Sequence, residues 1–255
     1  MATNKQIVEF CQTYLESDKF KDYCLNGLQV EGKSEVRKIV VGVSLSVAFI
    51  KEALEAKADM LVVHHGIFGN QLGEFPQLAV KGYIRQRLKL LLEHNLNLVG
   101  FHLPLDAHPK IGNNISLLKI LGLKKSGILS APSYGNIGFV GTTPSLKREE
   151  FISLVEKKLN TKCYWVGGGP RIVKRVGIVS GGASNAFQLA KEAGVDTFLC
   201  GEIKESVVRA VEELQINFIN AGHYNTEKLG IQNLGRLIGR RFKVKVEFID
   251  IPNEV

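Results

Sequence analysis

RKIVVGVSLSVAFIKEALEAKADMLVVHHG, residues 37–66, decides the fold. It aligns without gaps onto KRVGIVSGGASNAFQLAKEAGVDTFLCGEI, residues 174–203, at an offset of 137 positions. Each stretch reads as an apolar strand, a turn of small residues, an amphipathic helix, a Glu-Ala doublet, an Asp and a second apolar strand. That is a βαβ unit. Its continuous apolar strands imply a parallel sheet covered on both faces.

The likeness extends downstream. LLLEHNLNLVGFHLPLD (90–106) parallels RAVEELQINFINAGHYNTE (209–227), each a helix, then a strand, then a histidine with a carboxylate four residues on. IGNNISLLKILG (111–122) and LGIQNLGRLIG (229–239) follow with apolar residues at helical spacing. Between the two units, GNIGFVGTT (135–143) and KCYWVGGG (162–169) read as hairpin-like strands flanking the helix SLKREEFISLVEKKL (145–159). At the N-terminus Ile7, Phe10, Cys11, Tyr14 and Leu15 share one helical stripe, with Thr3 and Gln6 as a capping box. FKVKVEFIDI (242–251) alternates as a strand. The expected fold class is α/β: two related, interlinked α/β domains with mainly parallel central sheets, a pseudo-duplication. The expected division is residues 1–125 for the first domain, 126–225 for the second, and 226–255 packing back on the first.

Composition narrows the function classes. In 255 residues, 45% are hydrophobic and 23% charged, as in globular proteins. No apolar run approaches the roughly 18 residues a membrane span needs, and MATNKQIVEFCQTYL is too polar for a secretory leader. A cytoplasmic location with no membrane partner is expected. Cys11, Cys24, Cys163 and Cys200 contain no C-x-x-C pair, which excludes a zinc ribbon and a thioredoxin-like motif. The net charge of +8 divides evenly: residues 1–127 hold 16 basic and 12 acidic side chains, residues 128–255 hold 17 and 13. Local basic clusters occur at Lys81, Arg85, Arg87 and Lys89, and at Arg236, Arg240, Arg241, Lys243 and Lys245. Such clusters form solvated helix faces or bind polyanions.

His64, His65, His102 and His223 fall at or just after expected strand ends, the edge of an open α/β sheet where ligands bind. Neighbouring side chains on a strand point to opposite faces, so His64 and His65 converge only where the strand stops at Gly66. Asp106 follows another strand, with Pro104 and Pro109 stiffening its loop, and can bind one cation or bridge two about 3.5–4 Å apart. His108 reads as a loop residue. Four residues apart at a helix start, His223 and Glu227 can meet on one side. Three imidazoles and two carboxylates exceed one tetrahedral zinc site but suit two divalent ions sharing a bridging carboxylate and water. Zinc, iron, manganese and nickel all accept such nitrogen and oxygen donors. By the 137-residue offset His64 and His65 correspond to Gly201 and Glu202, so one centre per chain is expected. His102 and Glu202 are candidates to move protons beside it. Cys200 reads as a small buried residue. The turn VSGGASNAF (179–187) lacks the lysine of a P-loop.

NGLQVEG (26–32), VVHHGIFG (62–69), FHLPLDAHPKIGNN (101–114) and GHYNTEKLG (222–230) together closely resemble the YbgI-like family of dinuclear-metal proteins, the GTP cyclohydrolase 1 type 2 homologues. The resemblance runs over nearly the whole chain. It implies that His64, His65, Asp106, His223 and Glu227 are the metal ligands. It also implies a ring-shaped homohexamer, a trimer of dimers, with the metal sites facing its interior. At this length the chain resembles the short form of the family.

Two functions compete. Metal-assisted hydrolysis of a nucleotide-like or other anionic small molecule follows from a bridging water made acidic by two cations. The family name points to opening of the guanine imidazole ring in GTP, although no residue here recognisably reads guanine. A metal-dependent ring that binds nucleic acid or protein without catalysis follows from the charge and the basic clusters. No RNA-binding or helix-turn-helix motif and no aromatic-rich basic patch is recognisable in the sequence.

Overall fold

A computed structural model describes residues 2–69, 79–131 and 134–253. Two compact units emerge, one formed by residues 1–105 and 231–251, the other by 106–230 and 252–255.

The first unit opens with β1 (Ala2–Thr3) and α1 (Asn4–Leu15), whose capping box between Thr3 and Gln6 is present as expected. After β2 (Gly27–Val30) and β3 (Glu35–Val36) comes the diagnostic stretch. It forms β4 (Lys38–Ser44), α2 (Val47–Glu55) and β5 (Met60–His65). Ser46 caps α2 by accepting from the Phe49 N–H at 3.0 Å. The strands are parallel, with Ile39 opposite Met60 and Ser44 opposite His65. α3 (Gly82–Glu93), β6 (Asn97–Gly100) and α4 (Leu103–Ala107) follow.

The second unit contains α5 (Asn113–Ile120), β7 (Lys124–Ala131), β8 (Gly135–Lys147), α6 (Arg148–Leu159), β9 (Tyr164–Gly167), β10 (Ile172–Val179), α7 (Phe187–Glu192), β11 (Thr197–Cys200), α8 (Glu205–Glu213) and β12 (Asn217–Asn220). α9 (His223–Phe242) and β13 (Lys245–Phe248) complete the chain.

One five-stranded sheet has the order β13-β4-β5-β6-β2, parallel except for the β2–β6 edge. The C-terminal strand therefore returns to β4 in the first unit. The six-stranded sheet, β7-β8-β10-β11-β12-β9, is mixed: only β10–β11 and β11–β12 are parallel. Here the structure differs from the expected mainly parallel pattern; of the two hairpin-like strands only β8 pairs with a neighbour in sequence. β8 pairs with β7 and β10, whereas β9 lies at the far edge against β12. The 12-residue helix α6, expected from the sequence, forms the crossover between β8 and β9.

Each sheet has its own apolar core. Val40, Leu61, Val63 and Leu98 pack with Phe49 and Ile50 in the first unit. Val176, Ile178, Leu199 and Ile219 pack with Phe151 and Val155 in the second. Both units carry the same polar device. Asp59 Oδ2 accepts from the backbone of Arg37 and Lys38, and Asp196 Oδ2 from that of Lys174 and Arg175. Asn97 Oδ1 accepts from Gly32 N–H, and Asn217 Oδ1 from Gly169 N–H. Among the described residues, no helix is long and apolar enough to cross a membrane.

Candidate metal centre

In the first unit the ends of β5 and β6 carry three imidazoles. The buried His64 donates from Nδ1 to the Phe101 carbonyl at 2.8 Å. His65 Nδ1 is hydrogen-bonded to Ser44 Oγ at 3.0 Å, across the β4–β5 register. The two ring centroids lie 4.6 Å apart, so the strand end brings the neighbours together as its termination at Gly66 predicts. His102 joins them, 5.0 Å from His64 and 5.5 Å from His65 by ring centroids. Each of the three offers a nitrogen within 4.8 Å of the others.

His102 is held by a loop that precedes the sheet. Its Nδ1 donates to Asp22 Oδ1 at 2.9 Å and its backbone N–H to Asn26 Oδ1 at 2.8 Å. Asp22 also accepts from Leu103 N–H, Cys24 N–H and the Asn26 amide. Burial alone would raise the Asp22 carboxyl, but the hydrogen bond and charge of His102, helped by Asn26 and Cys24, hold it down at about 2. Asp22 is an anion at neutral pH and fixes a proton on His102 Nδ1. The other nitrogen, Nε2, faces the Tyr23 hydroxyl at 3.4 Å. Gln29, inside the NGLQVEG stretch, ties down the segment after β5: its Oε1 accepts from Ile67 and Phe68 N–H, and its Nε2 donates to the Leu25 carbonyl.

In the second unit the side chains are mainly carboxylates. Asp106 on α4 is buried, and its Oδ1 accepts from Asn113 Nδ2 at 2.8 Å and Ser180 Oγ at 3.0 Å. α9 begins at His223, at the helix start its sequence suggests. One turn on, Glu227 Oε2 meets His223 Nε2 at 3.1 Å, while Nδ1 donates to Glu202 Oε1. Carboxylate oxygens of Asp106 and Glu227 lie within 4.8 Å of each other. Burial opposes a proton on His223, but the charges and hydrogen bonds of Glu227 and Glu202 raise its pKa to about 10. The same hydrogen bond, foremost, holds Glu202 below the usual carboxylate range.

Gly181 makes this geometry possible. Its φ is +65°, and a Cβ there would stand 2.1 Å from Glu227 Oε1 and 3.1 Å from His223 Nε2. The turn 179–187 is thus occupied by carboxylates, with Glu202 Oε2 3.4 Å from a Cβ placed on Gly182. That environment repels phosphate.

The donors fit divalent cations. Metal-bound histidines are oriented by a hydrogen bond from the second ring nitrogen. His64, His65 and His223 each have Nδ1 tied in that way, to Phe101, Ser44 and Glu202. A cluster that raises His223 to about 10 equally favours a metal cation. Cys200 lies against the same turn, its Sγ 3.2 Å from the Gly181 carbonyl, and burial pushes its thiol up to about 12, so it stays protonated at neutral pH. Zinc, iron, manganese and nickel suit imidazole and carboxylate donors.

With the geometry in place, comparison with known proteins is informative. The model of the Duf34/NIF3 (NGG1p interacting factor 3) family matches residues 2–254. The chain belongs to this family. Curated relatives include "GTP cyclohydrolase 1 type 2 homolog" of Pseudomonas aeruginosa, 41% identical over 97% of this chain and 96% of that one. The protein of the same name from Haemophilus influenzae is 38% identical, with 98% of each chain covered. Among solved structures, "protein ybgI, unknown function" superimposes with a TM-score of 0.93 at 38% identity, covering 99% of this chain and 100% of that one.

Within the Duf34/NIF3 chain, then, the structure groups His64, His65 and His102 in one unit and Asp106, Glu202, His223 and Glu227 in the other. His108 accepts from Lys110 and Ile111 N–H and is a loop residue, as expected. Sequence reasoning missed Asp22, Ser44 and Ser180. Only Ser44 left a signal, as the last residue of the strand paired with His65.

Proposed function

We propose that the chain is a dinuclear divalent-metal protein and a metal-dependent hydrolase of a nucleotide-like or other anionic small molecule. His64, His65, Asp106, His223 and Glu227 would hold the ions, one dinuclear centre per chain. One observation carries this reading: every expected imidazole ligand has its Nδ1 held by a hydrogen bond, the arrangement that orients a metal-binding histidine. Two such cations supply Lewis acidity and a water of lowered pKa. The chain's own residues do the rest. Asp22 orients His102, whose imidazole is one group able to carry a proton beside the ions. Glu202 orients His223 and is the second group able to carry a proton. The curated relatives' name suggests GTP as a first substrate to test. Metal-loaded protein should turn over GTP or a generic phosphoester, and Asp106→Ala should abolish it. Turnover that persists without Asp106 would contradict the proposal.

The recurrence of the Asp59 and Asp196 bonds at an offset of 137 supports reading the chain as a pseudo-duplication. Assembly as a ring-shaped homohexamer follows from the resemblance to YbgI-like proteins, and sedimentation equilibrium tests it.

A second reading, a ring that binds nucleic acid, is favoured by one surface. Phe10 and Phe242 meet edge-to-face at 5.5 Å, with the Arg241 guanidinium 6.0 Å from each ring. Gln6, Thr13 and Tyr14 line the same groove of about 610 Å³, and the exposed Arg240 and Lys243 flank it in sequence. This is the aromatic-basic patch that the sequence did not reveal. Glu9 is its one acidic lining residue. Aromatic faces and guanidinium groups suit single-stranded nucleic acid. Salt-sensitive binding of a labelled oligodeoxynucleotide, lost in Arg240→Glu/Arg241→Glu without change in metal content, would favour this reading. Binding indifferent to both changes would remove it.

A further inference from the structure

Tyr23 is 43% exposed and Leu25 47% exposed, yet both belong to one of the most firmly tied loops in the first unit. Asp22, whose side chain is 2% exposed, anchors one end by accepting four hydrogen bonds. At the other end Leu25 N–H donates to the Phe68 carbonyl at 3.0 Å, and Cys24 forms a β-bridge with Gly69. The approach is so close that a Cβ on Gly69 would lie 2.1 Å from the Tyr23 carbonyl oxygen. Exposed apolar side chains usually accompany loose loops; here a rigid backbone presents them.

What they are presented beside is specific. The Tyr23 ring stands edge-on to His102, 4.8 Å between centroids, and its hydroxyl reaches His102 Nε2. His102 in turn neighbours His64 and His65. The hydroxyl bond positions the ring, so an aromatic surface is pre-set next to the imidazole cluster and less entropy is lost on binding. Stacking on such a ring needs no hydrogen-bonding pattern; any planar π-system serves.

We propose that Tyr23, with Leu25 at its side, is the wall on which a planar unsaturated ring of the substrate lies, so that the centre selects anionic molecules carrying such a ring, of which a purine nucleotide is one. This inference rests on the metal-centre reading and names its substrate class. Tyr23 is a specificity residue; its ring acts, whereas its hydroxyl serves to hold the ring.

Isothermal titration of the full-length, manganese-loaded protein with guanosine 5′-monophosphate and with ribose 5-phosphate tests it. The two probes share the phosphate and sugar and differ by the base. The base should improve affinity about tenfold in the wild type and by a smaller factor in Tyr23→Phe, which keeps the ring but loses the bond that holds it. In Tyr23→Ala the two affinities should become equal, with ribose 5-phosphate binding and metal content unchanged, which also shows that the variant is folded. Equal affinities in the wild type, or a preference that survives Tyr23→Ala, would overturn the inference. Wild-type protein that holds no manganese would instead overturn the metal-centre reading, a result visible before either probe is added.

Discussion

At the scale of single residues, the candidate site was legible where chemistry demanded an unusual side chain. A histidine doublet at a strand end and a His-x-x-x-Glu at a helix start stand out in any sequence. The residues that orient them do not. Ser44, Ser180 and Asp22 are common residue types, and their partners His65, Asp106 and His102 are 21, 74 and 80 positions away in sequence. Such pairing arises from tertiary register. Two consequences can be measured. The Asp22 carboxyl sits at about 2, below its ordinary 3.8, so it stabilises the fold above pH 4 and that contribution is lost as pH falls through 2. Urea unfolding should show Asp22→Asn weaker than wild type by about 2 kcal/mol at pH 7, with the gap closing toward pH 2. A constant gap across that range would contradict the assignment. Gly181→Ala combines a left-handed φ with a clash on Glu227 and should lower both stability, by roughly 1–3 kcal/mol, and metal content. Normal metal content in a folded Gly181→Ala protein would show that the Gly181 turn does not shape the site.

At the scale of elements, the 30-residue βαβ pattern was readable because apolar runs and helical spacing are local properties. α9 was only partly readable. Gly230, Gly235 and Gly239 interrupt its sequence and weaken a helix by propensity, yet 20 residues remain helical. Packing overrides propensity at Gly235, where a Cβ would stand 3.0–3.1 Å from Val246 and Val41. β9 was misplaced because its partner, β12, lies some fifty residues further on and no local pattern encodes that choice. The recurrent aspartates explain why an Asp ends each helix-to-strand turn: each accepts from two backbone N–H groups on the neighbouring strand. Asp59→Ala and Asp196→Ala should each cost about 1–3 kcal/mol in chemical denaturation, a similar amount in each unit. Loss of stability in one and none in the other would break the equivalence.

At the scale of the whole molecule, the net charge of +8 acquires an address, since four of its basic residues, Arg240, Arg241, Lys243 and Lys245, lie within a six-residue span at the C-terminal end of the chain. The five proposed ligands divide between the two compact units, His64 and His65 in one and Asp106, His223 and Glu227 in the other. At the offset of 137 positions, Gly201 and Glu202 stand where the first stretch has the histidine pair. The central claim, one dinuclear centre per chain, is tested most directly by elemental analysis of the purified protein beside its His64→Ala/Asp106→Ala variant. The account predicts about two divalent ions per wild-type chain and their loss from the variant. Wild-type protein without metal, or a variant that keeps its full complement, would contradict it.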